Sequence, residues 1–181
     1  MTRARLDDLA ALAMLLGLLA VLAAALVMQF GFGEAPCPLC LLERVGMFGA
    51  CFGLAMHFRA GPGAGASARA AGVGLASAVF LLVVSVRQVL LDIVPRPGHG
   101  YVGSAVLGLH MPVWAVVVAV ALIAGFAGRL ALFGSPAREP DGPGMTGRLA
   151  GLASLLVAAL AAVNLAAVLM QCGFGECRAA G

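Results

Sequence analysis

Lysine is absent from this chain and charge of either sign is sparse: all 11 basic residues are arginine, eight residues are acidic, and charged residues total only 10%. With no basic run, the electrostatic footprint of a nucleic-acid partner is missing. Aromatics are few, with one tryptophan (Trp114) and one tyrosine (Tyr101), both placed where an interfacial belt would fall. No polar stretch is long enough to enclose a second core, so 1–181 reads as a single domain. Apolar residues fill the chain instead, at 62%, and the mean hydropathy is strongly positive. That balance is the signature of an integral membrane protein.

Five apolar stretches approach the ~20 residues a bilayer requires: Leu9 to Phe30, Leu41 to Phe58, Ala71 to Leu91, Met111 to Phe133 and Leu149 to Gln171. The first follows Arg3 and Arg5 as a secretory leader would, but it is too long for a leader and others follow it, so it reads as a retained span. The second carries Glu43 and Arg44 in its first turn, both expected to snorkel to the interface. Gly61 to Ser67 reads as a glycine-rich link, and Tyr101 to Leu109 as a short helix on the membrane surface.

Arginine sorts the loops. Arg3, Arg5, Arg59, Arg69, Arg129, Arg138 and Arg148 fall on one side, against Arg96 and Arg178, with Arg44 and Arg87 near the other edge. The positive-inside rule then places the N-terminus in the cytoplasm, and five crossings place the C-terminus outside.

Four of the five cysteines share that outer side: Cys37 and Cys40 after the first span, Cys172 and Cys177 after the fifth. Thiols gathered on an oxidising face suggest disulfide chemistry. Cys37-Pro38-Leu39-Cys40 can close a small reversible disulfide whose reactivity depends on which sulfur is held as thiolate. Three features favour a thiolate at Cys40. A helix starting there offers unpaired N–H groups and its positive dipole end. Arg44 lies one turn further on, and Pro38 fixes the backbone between the sulfurs. The same spelling also suits half a zinc site, and the four outer cysteines together offer four thiolates.

Other residues have structural readings. Cys51, eleven residues beyond Cys40, is ~16 Å along a helix, out of disulfide reach, and reads as a small buried hydrophobe. Gly46, Gly49 and Gly53 offer close helix approach, Asn164 reads as interhelical hydrogen-bonding glue, and His57 as interfacial. Arg87 either snorkels, pairs with Asp92 or faces the bundle as a functional charge. AALVMQFGFGE at the end of the first span is echoed by AAVLMQCGFGE at the end of the fifth, which reads as shared exit chemistry.

PCPLCLLERVGMFG after the first span, Gln29 eight residues before the first cysteine, and LHMPVW opening the fourth span resemble the DsbB-type disulfide bond formation proteins of bacterial inner membranes. The resemblance runs from about Ala24 to Phe126. It implies a four-helix core, about 9–133, that reoxidises a periplasmic thioredoxin-fold dithiol oxidase (DsbA-like) and passes two electrons to ubiquinone or menaquinone. It implies further that Cys40 meets the quinone, that Arg44 lies beside the quinone ring, and that Cys37 exchanges with a second cysteine pair.

Two features depart from the family pattern: Asp92 to His110, between spans three and four, holds no cysteine, and an added helix with a cysteine tail occupies about 148–181. The expectation is an all-α integral membrane protein, a four-helix DsbB-like bundle plus a fifth C-terminal transmembrane helix, whose tail pair replaces the loop pair. The expected catalytic set is Cys37, Cys40, Cys172 and Cys177, with Arg44 on the cofactor and no metal. His99 and His110 are on the side where either can hydrogen-bond a quinone carbonyl; the family's histidine in span three has no clear match. A vitamin K epoxide reductase-like enzyme and a structural metal site built from the four outer cysteine thiolates stand as the alternatives.

Overall fold

The computed structural model describes residues 2–34, 36–60, 64–93, 105–134 and 144–173. Five helices dominate it: α1 (Arg3–Gly31), α2 (Pro38–Arg59), α3 (Ala64–Ile93), α4 (Met111–Phe133) and α5 (Met145–Cys172). Each is long and apolar enough to cross a membrane. Four of the five helices outrun the apolar stretches that announce them, and α4 coincides with its own. Hydropathy marks what lies in lipid, whereas the helix continues as long as backbone hydrogen bonds and good helix formers allow. Thus α1 starts at Arg3 behind an N-cap, Thr2, whose hydroxyl accepts the Arg5 N–H at 3.4 Å. The link expected over Gly61 to Ser67 is already helix from Ala64, in an alanine-rich run that opens α3.

The surface helix expected at Tyr101 to Leu109 is not formed where the structure describes that segment. Ala105–Val106 (β1) and Leu109–His110 (β2) pair antiparallel instead, in the register Ala105 to His110 and Val106 to Leu109. Leu107 and Gly108 join them at φ 53° and 79°, the two left-handed residues that a tight type I′ hairpin requires. Trp114 in the first turn of α4 donates its indole N–H to the Val106 carbonyl at 3.0 Å, which ties the hairpin to α4.

α1 to α4 form a closed ring: α2 packs most extensively on α3, α3 on α4, and α4 returns against α1. α5 lies in the outer groove between α1 and α2. Lipid tails are as apolar as leucine, so helix association here relies on close packing rather than on escape from water. Small residues supply it along the α2/α3 seam. A methyl group on Gly53 would fall 2.6 Å from the Gly74 nitrogen, and one on Gly46 would fall 2.9 Å from Leu81 Cβ. Leu15, Leu22, Cys51, Leu54, Leu81, Ala119 and Phe126 fill the centre of the ring, and Cys51 is a free, buried thiol.

A second polar feature lies at the end of the bundle opposite the Cys-x-x-Cys. Arg129 Nε donates to Asp7 Oδ1 at 2.7 Å, with both side chains buried. His57 Nε2 lies 3.0 Å from Asp8 Oδ1 and 3.7 Å from Asp7 Oδ2, while His57 Nδ1 lies 3.1 Å from the Ser67 hydroxyl. The knot adds to the reading of both residues: His57, at the end of the second span, is buried against its neighbours, and Arg129, within the fourth span as expected, is turned into the bundle. In both cases an acidic partner near the start of α1 lets the group stay inside the bundle.

Candidate active site

α2 begins at Pro38, whose fixed φ and missing N–H suit the first helical position. That makes Cys37 the N-cap residue, extended at φ −70° and ψ 160°. Its sulfur accepts the Cys40 backbone N–H at 3.1 Å. The terminal N–H therefore donates to Cys37, one turn earlier than a helix start at Cys40 would place it, because an N-cap side chain folds over the first-turn amides that follow it. Cys37 and Cys40 form a disulfide with Cα atoms 5.1 Å apart, and both residues are half-buried.

A third side chain reaches both sulfurs. Gln88 of α3 is buried, and its Nε2 lies 3.3 Å from Cys37 Sγ and 3.4 Å from Cys40 Sγ. Its Oε1 is buried and, among the described residues, has no hydrogen-bond partner. Composition drew attention to Arg87, which is exposed, but Gln88 is the inward residue. The signal lay in the period: Leu81, Ser85 and Gln88 follow i, i+4, i+7 along the buried face of α3.

Arg44 and Glu43 do not snorkel; they are 8% and 6% exposed. The guanidinium has its own receiving site. Nη1 donates to Gln29 Oε1 at 2.6 Å and to Asn164 Oδ1 at 3.0 Å, and Nη2 donates to the Ala25 carbonyl at 3.1 Å. Its hydrogen bonds thus run to α1 and α5, a turn inward from the disulfide, while the side-chain donor on the sulfurs is Gln88. Asn164 is interhelical glue as the sequence suggests, and what it joins is α5 to Arg44. Glu43 turns the other way, towards Ser85 of α3, and among the described residues its Oε1 has no partner.

The tail pair is reached only in part. Cys172 is the last residue of α5; Cys177, like His99 and Tyr101, lies outside the described residues. Cys172 is eight residues past Asn164, ~12 Å along the helix, and Cys40 is four residues from Arg44, ~6 Å. Since Asn164 touches Arg44, the C-terminus of α5 and the N-terminus of α2 share one end of the bundle. Among the described residues no group of three or more His, Cys, Asp or Glu side chains is arranged to hold a metal.

A bundle of membrane-crossing helices with a Cys-x-x-Cys disulfide at a helix N-terminus, an amide on its sulfurs and a buried arginine one turn below defines a membrane thiol–disulfide protein. Residues 7–100 match the family described as disulfide bond formation protein DsbB, and the chain belongs to that family. The match covers α1 to α3 and with them both cysteines of the motif, Gln29, Arg44 and Gln88; Asn164 and α5 lie beyond it. Comparison with curated proteins and with solved structures gave no match. The chain is thus a redox enzyme of membrane disulfide bond formation.

Proposed function

We propose that the protein reoxidises a thioredoxin-fold dithiol oxidase on the outer face of the bacterial inner membrane and delivers the electrons to membrane ubiquinone or menaquinone. The observation that carries this reading is the convergence of the Cys37–Cys40 disulfide, the Gln88 amide and the Arg44 guanidinium at one end of the bundle. The N-terminus is read as cytoplasmic, from the arginine distribution, and the disulfide then faces the oxidising compartment.

The residues present suit a quinone. Arg44 supplies a cationic donor for a carbonyl oxygen, Gln88 Oε1, without a partner among the described residues, an acceptor for a hydroxyl, and the membrane gives a lipid-soluble ring access. Arg44 and Gln88 would hold it, and a bound quinone supplies the two-electron sink that a dithiol needs to become a disulfide.

The chain's own part is exchange. A thiolate of the reduced partner attacks the Cys172–Cys177 disulfide; the partner's second thiol resolves the mixed disulfide, so the partner is oxidised and the tail pair reduced. A tail thiolate then attacks Cys37–Cys40, leaving two thiols at the motif and a disulfide in the tail. Cys37 retains its backbone N–H donor as a thiolate, and the Gln88 amide can donate to either sulfur. Loss of two electrons and two protons from this dithiol restores the starting disulfide.

Single-turnover oxidation of a reduced thioredoxin-fold partner, with purified protein and added quinone, tests the reading. Cys40→Ser abolishes turnover. The double change Cys172→Ser and Cys177→Ser abolishes it if the tail relays electrons, and leaves it intact if Cys37 meets the partner directly. Unchanged turnover in Cys40→Ser overturns the proposal.

A further inference from the structure

We infer that the fifth helix, which lies outside the stretch matched to the family, completes the redox site through Asn164: a positioning residue that holds Arg44 by hydrogen bonds while leaving its positive charge uncompensated. This rests on the reading of Cys37 and Cys40 as the redox pair.

Three observations support it. First, Asn164 is one of the few polar residues of α5, is 8% exposed, and places Oδ1 3.0 Å from Arg44 Nη1 across 120 residues of sequence. α5 is otherwise an alanine- and leucine-rich helix, so a polar side chain buried against α2 requires a partner there, and Arg44 is that partner. Second, among the described residues all three acceptors on the guanidinium are neutral: the Gln29 amide, the Ala25 carbonyl and the Asn164 amide. A buried arginine in a membrane bundle commonly has a carboxylate partner, and among the described residues Arg44 has a backbone carbonyl and two amides instead. The same protein supplies a carboxylate where it needs one, at Arg129 with Asp7. Third, the neighbouring carboxylate, Glu43, is directed to Ser85 on α3 rather than into the Arg44 clamp.

Neutral acceptors hold the guanidinium without cancelling its charge. The field of Arg44 therefore still acts on Cys40, one turn away on the same helix, and favours its thiolate. A thiolate favoured in the reduced state makes the disulfide easier to reduce, so the pair is a stronger oxidant. The amide of Asn164 matters for what it is not: an aspartate of the same shape would make the same contact and remove the field.

The test is the equilibrium of the Cys37/Cys40 pair with glutathione, in the full-length protein stripped of quinone, read by alkylation and mass spectrometry of the Cys37–Cys40 peptide. Asn164→Asp is expected to shift the equilibrium about tenfold towards the disulfide, ~30 mV more reducing for a two-electron couple, with the melting temperature unchanged or higher. Asn164→Gln keeps a neutral amide and stays near wild type. Gln29→Glu places a carboxylate on Arg44 from α1 instead and is expected to shift the equilibrium in the same direction, which keeps the test open if Asn164→Asp does not fold. Equal equilibria for wild type and both carboxylate variants overturn the inference, as does an equal shift in Asn164→Asp and Asn164→Gln. If wild-type Cys37 and Cys40 do not exchange with glutathione and the protein has no turnover with its partner, it is the proposed function that fails.

Discussion

An amide side chain does not titrate, so Gln88 offers the Cys37/Cys40 sulfurs the same donor whatever their redox state or the surrounding pH. A hydrogen bond to a charged acceptor is worth more than one to a neutral acceptor, so the Gln88 contact gains strength when the disulfide opens to a thiolate. Replacing Gln88 with leucine keeps the volume and removes the donor. Loss of ~1.5 kcal/mol of thiolate stabilisation corresponds to about a tenfold change in rate or equilibrium. We expect Gln88→Leu to slow quinone-linked reoxidation of the dithiol about tenfold, measured by stopped flow, with helix content unchanged; a wild-type rate would reduce Gln88 to a packing residue. Cys37, Cys40 and Arg44 stand out in the sequence as candidates because motif chemistry is local: three residues within eight positions, at a helix start marked by proline. Gln88 and Asn164 do not stand out there as candidates. Each lies on a distant helix, and only tertiary packing brings one to the sulfurs and the other to the guanidinium.

At the scale of helices, the α2/α3 seam shows why a glycine is kept at some positions and merely tolerated at others. At Gly53 the nearest atoms to an added methyl are backbone, Gly74 N at 2.6 Å and Gly74 Cα at 2.7 Å. Backbone cannot rotate away as a side-chain tip can, so the helices must separate. At Gly72 nothing lies within 4 Å. Gly53→Ala is expected to cost about 1–3 kcal/mol, seen as a lower melting temperature in detergent, whereas Gly72→Ala is expected to be neutral or slightly stabilising through helix propensity. Equal melting temperatures would mean that the seam is looser than the geometry requires. The five helices were readable from hydropathy because a bilayer demands long apolar runs, and the glycine seam was readable from its spacing. The hairpin at Ala105–His110 was not: a short apolar segment has no length to separate helix from strand, and its outcome rests on two left-handed residues and the Trp114 bond.

At the scale of the molecule, the buried polar groups among the described residues gather in two places that do different work. At the redox end they are mostly neutral amides and a carbonyl around one arginine. At the far end Asp7, Asp8, His57, Ser67 and Arg129 join α1, α2, α3 and α4 through carboxylates and their partners. Asp7 and Gln29 are 22 residues apart on α1, ~33 Å, so the two ends are separated by the apolar core. A buried charge pair is costly to break and cheap to replace whole, since removing one member strands the other without water. Asp7→Leu or Arg129→Met alone is therefore expected to cost about 3–5 kcal/mol, partly moderated by His57 and Asp8, while the double variant recovers most of that loss. Thermal unfolding of the four proteins gives the coupling energy directly. Because the knot is remote from the disulfide, whichever variants fold should oxidise the partner at the wild-type single-turnover rate. A slowed rate in a variant with wild-type stability would instead mean that the far end of the bundle sets the geometry of the redox end.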